Sequence, residues 1–528
     1  MKKKSFVYGA IILGLSSIIC KILGAIFRLP LTNLIGANGI GIYQLVFPIF
    51  ALFLVVSSSG IPVALSKIIS KEYSKQNYKN IKIIFKNSLT ITAILGLFFS
   101  ILIFILAKPI AIIQQNERLI ICYYLLCPSV FLGTIISTFR GYFQGFEIMS
   151  YSGISQIIEQ LFKLIFGLLF AYLLFPYGVV YGVAGAFIGV TLSELSAFIF
   201  LLIVFKRKKI DIDFSQNNDA ILTNKTAKKL IIKESLPITF AQIFMPIVSV
   251  IDSLIIVRLL NVIGFDFESA STLYGLDAGV VNSLINLPSV LCVSIAVSLM
   301  PSISSSYALQ LTKSVKEKTQ LSLKIVWYFT LPCALIYLIY SREICTFLYS
   351  NLGVFPIDQI SVASTMIKIS SLSIIYIALN QILTTILQAI NHSYYPVITI
   401  IIASVVKISL TIILVLNKNF NIYGLVISDV ISYGIAIVLN LNKLKKYINI
   451  RFKFKEIVLV PLISLCVLAI CLVLFKLLFR ANFSRIFVFV SLLVSVSVYI
   501  LFVLLFKGFN LSEINKTKIL KFFKKKKY

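Results

Sequence analysis

Five basic side chains lie where the surrounding sequence is apolar, and they are the strongest candidates for chemistry. They are found inside or at the ends of long hydrophobic stretches: Lys21, Arg28, Lys163, Arg258 and Lys407. An ionisable side chain at membrane depth is costly, so it usually faces a bundle interior or a water-filled cavity. Lys and Arg bind phosphate oxygens strongly where the dielectric is low. The set predicts an anion site, which suits a pyrophosphate-bearing lipid headgroup better than a cationic drug.

The first apolar stretch carries its small and basic residues on one helix face. Gly14, Ser17, Lys21, Gly24 and Arg28 follow 3-4-3-4 spacing, which aligns them along one stripe of a helix. Lys21 falls deep in the stretch and is predicted to line a cavity. Arg28 falls near the outer end, where a cavity role and simple snorkelling to the interface explain it equally well.

The fifth apolar stretch concentrates polar groups within two helical turns. Gln156, Glu159, Gln160 and Lys163 are the residues concerned. Lys163 is predicted roughly 15 Å from the cytoplasmic end, close to the bilayer midplane. Glu159 is four residues before it, so mutual neutralisation and a functional role are both open. Lys407 is predicted to be the freer cation, because no acid lies one turn away from it in the sequence.

Several other polar side chains are predicted within the apolar stretches. They are candidates for lining the cavity or for coupling to ions: Gln44, Glu194, Asp252, Asn282, Asn286 and Asp429. The embedded acids Glu194, Asp252 and Asp429 could couple transport to protons or sodium. No cofactor and no metal are expected.

The composition excludes ordinary soluble enzymes. Of 528 residues, 59% are hydrophobic and 13% charged, with a net charge of +30, whereas soluble domains average about 25% charged residues. One histidine, His392, and the lack of a phosphate-binding loop argue against a hydrolase, a histidine metal site and an ATP-driven pump. The eight cysteines lie in or beside apolar segments without metal-site spacing. The basic residues lie between apolar runs, so no nucleic-acid partner is expected.

The hydrophobic pattern predicts a polytopic all-α membrane protein. A helix needs about 20 apolar residues to cross a bilayer, and about fourteen stretches reach that length. They are 6–27, 41–65, 83–107, 119–139, 153–175, 180–205, 234–258, 277–300, 323–341, 361–387, 394–416, 422–441, 456–477 and 484–506.

Charge in the connections predicts the orientation. Connections rich in Lys and Arg, such as 206–233 and the one after 441, alternate with connections that hold few. By the positive-inside rule both termini are cytoplasmic, which fits a multi-pass protein of the cell membrane with an even helix count. The connection after 477 departs from the rule, because it carries Arg480 and Arg485 besides Lys476.

Helices one to six and seven to twelve match as two copies of one unit. The matches, in order, are Thr32–Gly36 with Leu260–Gly264, Pro48 and Pro62 with Pro288 and Pro301, Gln144 with Gln388, Lys163 with Lys407, and Tyr181-Gly182 with Tyr423-Gly424. Six helices are an even number, so the copies form a parallel repeat with a cavity expected between the lobes. The predicted organisation is an N-lobe at 1–205, a basic linker at 206–233, a C-lobe at 234–441, and two further helices with a basic tail at 442–528.

Three motifs resemble one known family. They are Lys21 to Gly36 with Gly39-Ile-Gly41-Ile-Tyr43-Gln44, then Arg140-Gly141-Tyr142-Phe-Gln144-Gly145, then Ser155-Gln156-Ile-Ile-Glu159-Gln160. Together they resemble the stage V sporulation protein B family, in the superfamily of MurJ-type lipid II flippases and MATE drug exporters. The resemblance covers essentially the whole chain.

The resemblance implies a flippase that moves an undecaprenyl-pyrophosphate-linked sugar, most of all lipid II, to the outer leaflet by alternating access. It implies that Lys21 and Arg28 are cavity cations, and it makes wall-synthesis proteins candidate partners. Two alternatives stay open: a cation-coupled MATE-type exporter that depends on Asp252, and a non-transporting membrane scaffold for wall synthesis or sporulation.

Overall fold

The computed structural model describes residues 6–207, 222–349, 355–448, 454–478, 485–506 and 508. All regular secondary structure in these ranges is helical. Half of the predicted linker 206–233, Arg480 and the predicted basic tail beyond 508 lie outside the described residues.

The first half of the chain forms seven long helices and one shorter one. They are α1 (Phe6–Ser58), α2 (Gly60–Ser74), α3 (Tyr78–Ile113), α4 (Ile120–Gly145), α5 (Met149–Leu174), α6 (Val179–Arg207), α7 (Asn224–Val262) and α8 (Phe267–Gly275). Short 3-10 turns, Glu117–Leu119 and Phe175–Tyr177, precede α4 and follow α5.

The second half continues in the same way. It contains α9 (Asn282–Ala308), α10 (Thr312–Tyr349), α11 (Ile357–Ala389), α12 (Tyr394–Val415), α13 (Tyr423–Tyr447), α14 (Val460–Leu478) and α15 (Arg485–Leu505). Two π-helical turns, Leu276–Val281 and Lys455–Leu459, lead into α9 and α14.

The helices are those that the hydrophobic pattern predicts. In the described ranges, 12 helical stretches are long and apolar enough to cross a membrane. One of them, Ile12–Ser74, covers the predicted segment 41–65 and most of the predicted segment 6–27. The predicted segment 277–300 lies outside the 12 stretches, in the π turn Leu276–Val281 and in α9. Within hydrocarbon a helix satisfies all its backbone hydrogen bonds internally, which is why such sequences fold this way. The chain is a multi-pass, all-α membrane protein.

A sharp kink replaces the predicted connection between the first two segments. Helix α1 runs from Phe6 to Ser58, but Gly36 has the non-helical angles φ 71° and ψ −179°, which divide α1 into two helical parts. Only glycine adopts such a conformation at low cost. The helix instead ends at Ser58, inside the predicted segment 41–65, and Gly60 N donates to Thr239 Oγ1 at 3.1 Å.

The repeat predicted from the sequence has a backbone counterpart at this kink. Gly264 is the match of Gly36, and it too has positive φ, at 109°. The chain after Gly264 begins a new short helix, α8, which Asp266 caps by accepting from Ser269 N at 3.4 Å. The equivalent glycines therefore break the helix in both copies.

The chain divides into two compact units. The first contains Met1–Val280 and Ile408–Ile422, and the second contains Val281–Lys407 and Tyr423–Tyr528. Each has its own buried apolar cluster, around Phe85 and Phe143 in the first and around Ile382 and Leu387 in the second. The lobe boundaries that the sequence suggests stay a prediction.

Two ion pairs connect α10 to α14 and to the π turn before α14, within the second unit. Lys324 Nζ lies 2.7 Å from Glu456 Oε2, and Lys476 Nζ lies 2.7 Å from Glu343 Oε1. Between them, Tyr340 OH donates to Leu472 O at 3.2 Å. Lys476, which departs from the positive-inside pattern, thus has a carboxylate partner inside the protein.

Candidate functional site

Helices α1 and α5 bring most of the predicted polar residues of the first unit together. Gly153 of α5 faces the Ser16 side chain of α1, and Gly24 of α1 faces the Gln160 side chain of α5. Small residues at such positions allow two membrane helices to approach closely. The polar face of α5, which also carries the half-buried Gln156, therefore lies against α1.

Lys163 is held by aromatic rings. Its Nζ lies 4.9 Å from the centre of the Phe47 ring and 5.3 Å from that of Phe27. An ammonium group over an aromatic face is attracted by the ring quadrupole. Within the described ranges Lys163 forms no ion pair with a carboxylate, so the neutralising pair with Glu159 does not form.

Glu159 pairs with Arg140 of α4 instead. Arg140 Nη2 lies 2.7 Å from Glu159 Oε2, and Arg140 Nε donates to Ser155 Oγ at 2.9 Å. The two charged side chains are only 17% and 19% exposed. Arg140 satisfies the acid on α5 and leaves the ammonium of Lys163 available.

A second acid lies beside this pair. Glu194 of α6 is 6% exposed and interacts electrostatically with Glu159, Arg140 and Lys163. We call Arg140, Ser155, Glu159, Lys163 and Glu194 the polar cluster. Arg140, which lies just past an apolar segment, is not among the site residues predicted from the sequence. The embedded Glu159 was the signal that could have found it, because a buried acid requires a counter-ion.

The two basic residues of α1 have different surroundings. Lys21 is exposed, whereas Arg28 is half-buried. Arg28 Nη2 donates to Gln44 Oε1 at 3.3 Å and to the carbonyl oxygen of Ala278 in the π turn before α9. Arg28, which precedes the Gly36 kink, is therefore bonded to Gln44 beyond the kink and to Ala278 in the π turn. A snorkelling Arg28 does not fit these bonds.

Lys407 of the second unit has a carboxylate partner, contrary to the prediction of a free cation. Its Nζ lies 2.8 Å from Asp429 Oδ1 of α13, and the side chains are 15% and 17% exposed. The prediction considered acids one turn away in the sequence, but the partner comes from the next helix. Two predicted site residues are therefore brought together as an ion pair.

The remaining predicted residues lie on α7 and α9. Asp252 is half-buried and Arg258 is exposed near the end of α7. Asn282 is half-buried, and the exposed Asn286 donates from Nδ2 to Asn282 O at 2.7 Å. Neither Arg258 nor Asn286 belongs to the polar cluster.

The fold and the membrane-embedded cations define a membrane transport protein rather than an enzyme. The sequence profile of the polysaccharide biosynthesis protein family matches residues 6–307, and the chain belongs to that family. This confirms the family predicted from the three motifs.

Known relatives agree with that assignment. Stage V sporulation protein B of Bacillus subtilis (strain 168) is 25% identical over 472 residues, which cover 89% of this chain and 89% of the relative. The lipid II flippase MurJ of the same organism is 22% identical over 478 residues, covering 86% of each chain. A solved structure of lipid II flippase MurJ, in an inward closed conformation, superimposes with a TM-score of 0.70 at 17% identity and covers 94% of this chain and 99% of that one.

Proposed function

We propose that this protein is a flippase for an undecaprenyl-pyrophosphate-linked precursor of peptidoglycan or polysaccharide, with lipid II as the foremost substrate. It moves the headgroup across the cytoplasmic membrane by alternating access, and both chain termini are cytoplasmic.

The surroundings of Lys163 carry this proposal. Its ammonium interacts with two aromatic faces, so a phosphate oxygen can bind it without first breaking an ion pair. A cation–π contact is worth about 0.5–2 kcal/mol, whereas a charge-assisted hydrogen bond to an anion is stronger in a low-dielectric site. A transporter must also release its substrate, and the rings stabilise the lysine when the phosphate has left.

Other groups near Lys163 support an anionic substrate. The Glu159 carboxylate is held by Arg140 at 2.7 Å, and the Glu194 carboxylate interacts electrostatically with Lys163 but forms no ion pair with it within the described ranges. Lys21 adds an exposed cation on α1, the helix that supplies both aromatic rings. The ammonium groups of Lys163 and Lys21 favour an anion over a cationic drug, which disfavours the MATE-type alternative.

The choice of lipid II rests on the relatives. One of them is a lipid II flippase that matches 86% of this chain. The family name points to polysaccharide precursors. Both substrates share a lipid-linked pyrophosphate, which is the part that Lys163 would bind.

Reconstituted flipping of lipid II tests the proposal. Purified protein in liposomes should move fluorescent lipid II between leaflets, and a competing lipid-linked glycan should reveal its preference. Lys163→Gln should slow flipping at least about tenfold, which corresponds to one lost charge-assisted contact of about 1.4 kcal/mol. Lys228→Gln removes the same charge from an exposed position near the start of α7 and should flip normally.

Two results would contradict the proposal. One is a Lys163→Gln protein that flips lipid II at the wild-type rate. The other is a wild-type protein that leaves lipid II and other lipid-linked glycans in place but exports a cationic drug along a proton or sodium gradient.

A further inference from the structure

A separate cavity opens in the first unit, where three connections meet the second half of α1. Its volume is about 830 Å³, and its wall is formed by residues after α3, after α5 and after α7 together with Asn38 and Ile42. Cavities of about 300–1,000 Å³ are typical of small-molecule sites. None of the residues of the polar cluster lines this cavity. The cavity therefore has no role in the binding of phosphate by Lys163.

Three tyrosines line the cavity. Tyr124, Tyr177 and Tyr181 are 41%, 74% and 47% exposed. Phe104 stacks on Tyr124 with ring centres 4.5 Å apart, which fixes that ring from one side. The negative face of an aromatic ring attracts weakly positive C–H groups, and a sugar ring presents a face of such groups.

The polar groups of the wall offer both donors and acceptors. Asn38 Nδ2 donates to Glu268 Oε1 at 3.3 Å, and Arg118 and Glu268 are both exposed. Carboxylate oxygens accept hydrogen bonds from hydroxyls, while guanidinium and amide groups donate to hydroxyl and carbonyl oxygens. Glu117 adds a second carboxylate to the lining. Two acids against one arginine disfavour a phosphate and suit an uncharged ligand with many hydroxyls.

The position of the cavity suits the release of a headgroup. Asn38 is ten residues after Arg28 on the same kinked helix, so it lies within about 15 Å of it. The three connections are among those with few basic residues, which the positive-inside rule assigns to the outer face. We infer that this tyrosine cavity binds the saccharide part of the headgroup on the side where it leaves the transporter, an inference that rests on the proposed flippase function.

Tyrosines near a membrane interface also serve as anchors, and the test must separate the two roles. Tyr172 provides the control, because it is 66% exposed near the end of α5 and does not line the cavity. If the tyrosines are only anchors, alanine at Tyr172 and alanine at Tyr177 should have the same effect on sugar binding. If the cavity binds a saccharide, only the Tyr177 change should weaken sugar binding.

Binding of phosphate-free sugars to the full-length protein tests the inference. The probes are di-N-acetylchitobiose and maltose, observed by saturation-transfer NMR with the protein in nanodiscs. At least one should bind, and Tyr177→Ala with Tyr181→Ala should weaken that binding at least fivefold. Tyr172→Ala should bind as the wild type does, and the two Tyr→Phe changes should retain binding because the rings remain. Glu268→Gln should weaken it by removing a charged acceptor.

The outcomes separate this inference from the proposed function. Absence of binding by both sugars, or equal binding by the wild type and the double alanine variant, overturns the inference even if lipid II is flipped. The protein could instead bind sugar in a way that depends on Tyr177 and Tyr181 but flip no lipid-linked glycan. That result would support saccharide binding by the cavity and overturn the flippase proposal.

Discussion

The two repeats place a lysine at the same position and surround it differently. Lys163 and Lys407 each follow a matched glutamine, Gln144 or Gln388, at the same distance along the chain. Lys163 lies over two phenylalanine rings, and Lys407 lies 2.8 Å from Asp429. Within the described residues, Lys407 therefore forms an ion pair with a carboxylate and Lys163 does not.

The aligned sequences contain this difference. The repeat places Phe187 of the first copy at the position of Asp429 in the second. The ring centres of Phe187 and Tyr43 are 4.7 Å apart, and those of Tyr43 and Phe47 are 5.3 Å apart. Phe187 therefore belongs to the same group of stacked rings as Phe47, which contacts Lys163. The same alignment replaces Phe27 and Phe47 by Ile255 and Leu287, whose aliphatic side chains cannot make a cation–π contact.

The difference indicates a division of labour between the repeats. A buried ion pair holds two helices in a defined arrangement, but it is strongly destabilised when one partner is removed. A lysine over aromatic rings contributes less to stability and can change partners. Substitutions at the two lysines should therefore differ in whether stability or transport is lost.

Removal of the acid in the second copy should have the largest effect on stability. Asp429→Asn leaves Lys407 without its carboxylate at a site where the side chains are 15% and 17% exposed. We expect a loss of about 3 kcal/mol in unfolding free energy, measured by thermal or denaturant unfolding in detergent. The double variant Lys407→Met, Asp429→Leu should recover most of it. If Asp429→Asn is as stable as the wild type, the ion pair does not stabilise the second copy, and the two lysines do not differ in their contribution to stability.

Arg140→Lys should have an intermediate effect. Lysine keeps the charge but cannot bind both Ser155 Oγ and Glu159 Oε2, as the forked guanidinium does. The loss of one hydrogen bond should reduce the unfolding free energy by about 1–1.5 kcal/mol. A larger loss in Arg140→Gln, which removes the charge as well, would show that Arg140 acts mainly as the counter-ion of Glu159. Equal losses in the two variants would refute that role.

Lys163→Met should reduce the unfolding free energy by about 1 kcal/mol, because it removes cation–π contacts and an attraction to Glu194 but no ion pair. The free energy of unfolding is measured as for Asp429→Asn. Phe47→Leu, which removes one of the two rings, is the matched variant. Lipid II flipping should fall in Lys163→Met despite its near-normal stability. A loss as large as that of Asp429→Asn would mean that Lys163 is a structural charge like Lys407.

The exposed pair Lys67–Glu234 should show the smallest effect. Its Nζ–Oε2 distance is also 2.7 Å, but the side chains are 69% and 30% exposed, and water screens such pairs. The hydrogen bond from Lys67 holds the pKa of Glu234 below its ordinary value. Its small contribution is therefore present above the pKa of the unfolded chain and is lost as the pH falls through the lower folded pKa.

A comparison of unfolding at neutral and acidic pH in the wild type and in Lys67→Gln measures this contribution. The two proteins should differ little at neutral pH and converge in acid. An effect comparable to that of Asp429→Asn would show that exposure does not explain the contrast between these ion pairs.

The sequence determined the helices, because length and apolar content decide which segments can cross a bilayer. It also predicted a repeat, and the matched glycines Gly36 and Gly264 both have positive φ values. It did not reveal that the chain turns at Gly36 by a kink without a separate loop, because a glycine between two apolar runs is compatible with either.

The deep charges were also found from the sequence, since any Lys, Arg, Asp or Glu within an apolar run is conspicuous. Their partners were decided only by the tertiary structure. Glu159 is four residues from Lys163 but binds Arg140 of another helix, and Lys407 binds Asp429 across two helices. Local spacing predicts contacts along one helix, whereas these ion pairs form between helices. Helix packing therefore decides which lysine has a carboxylate partner.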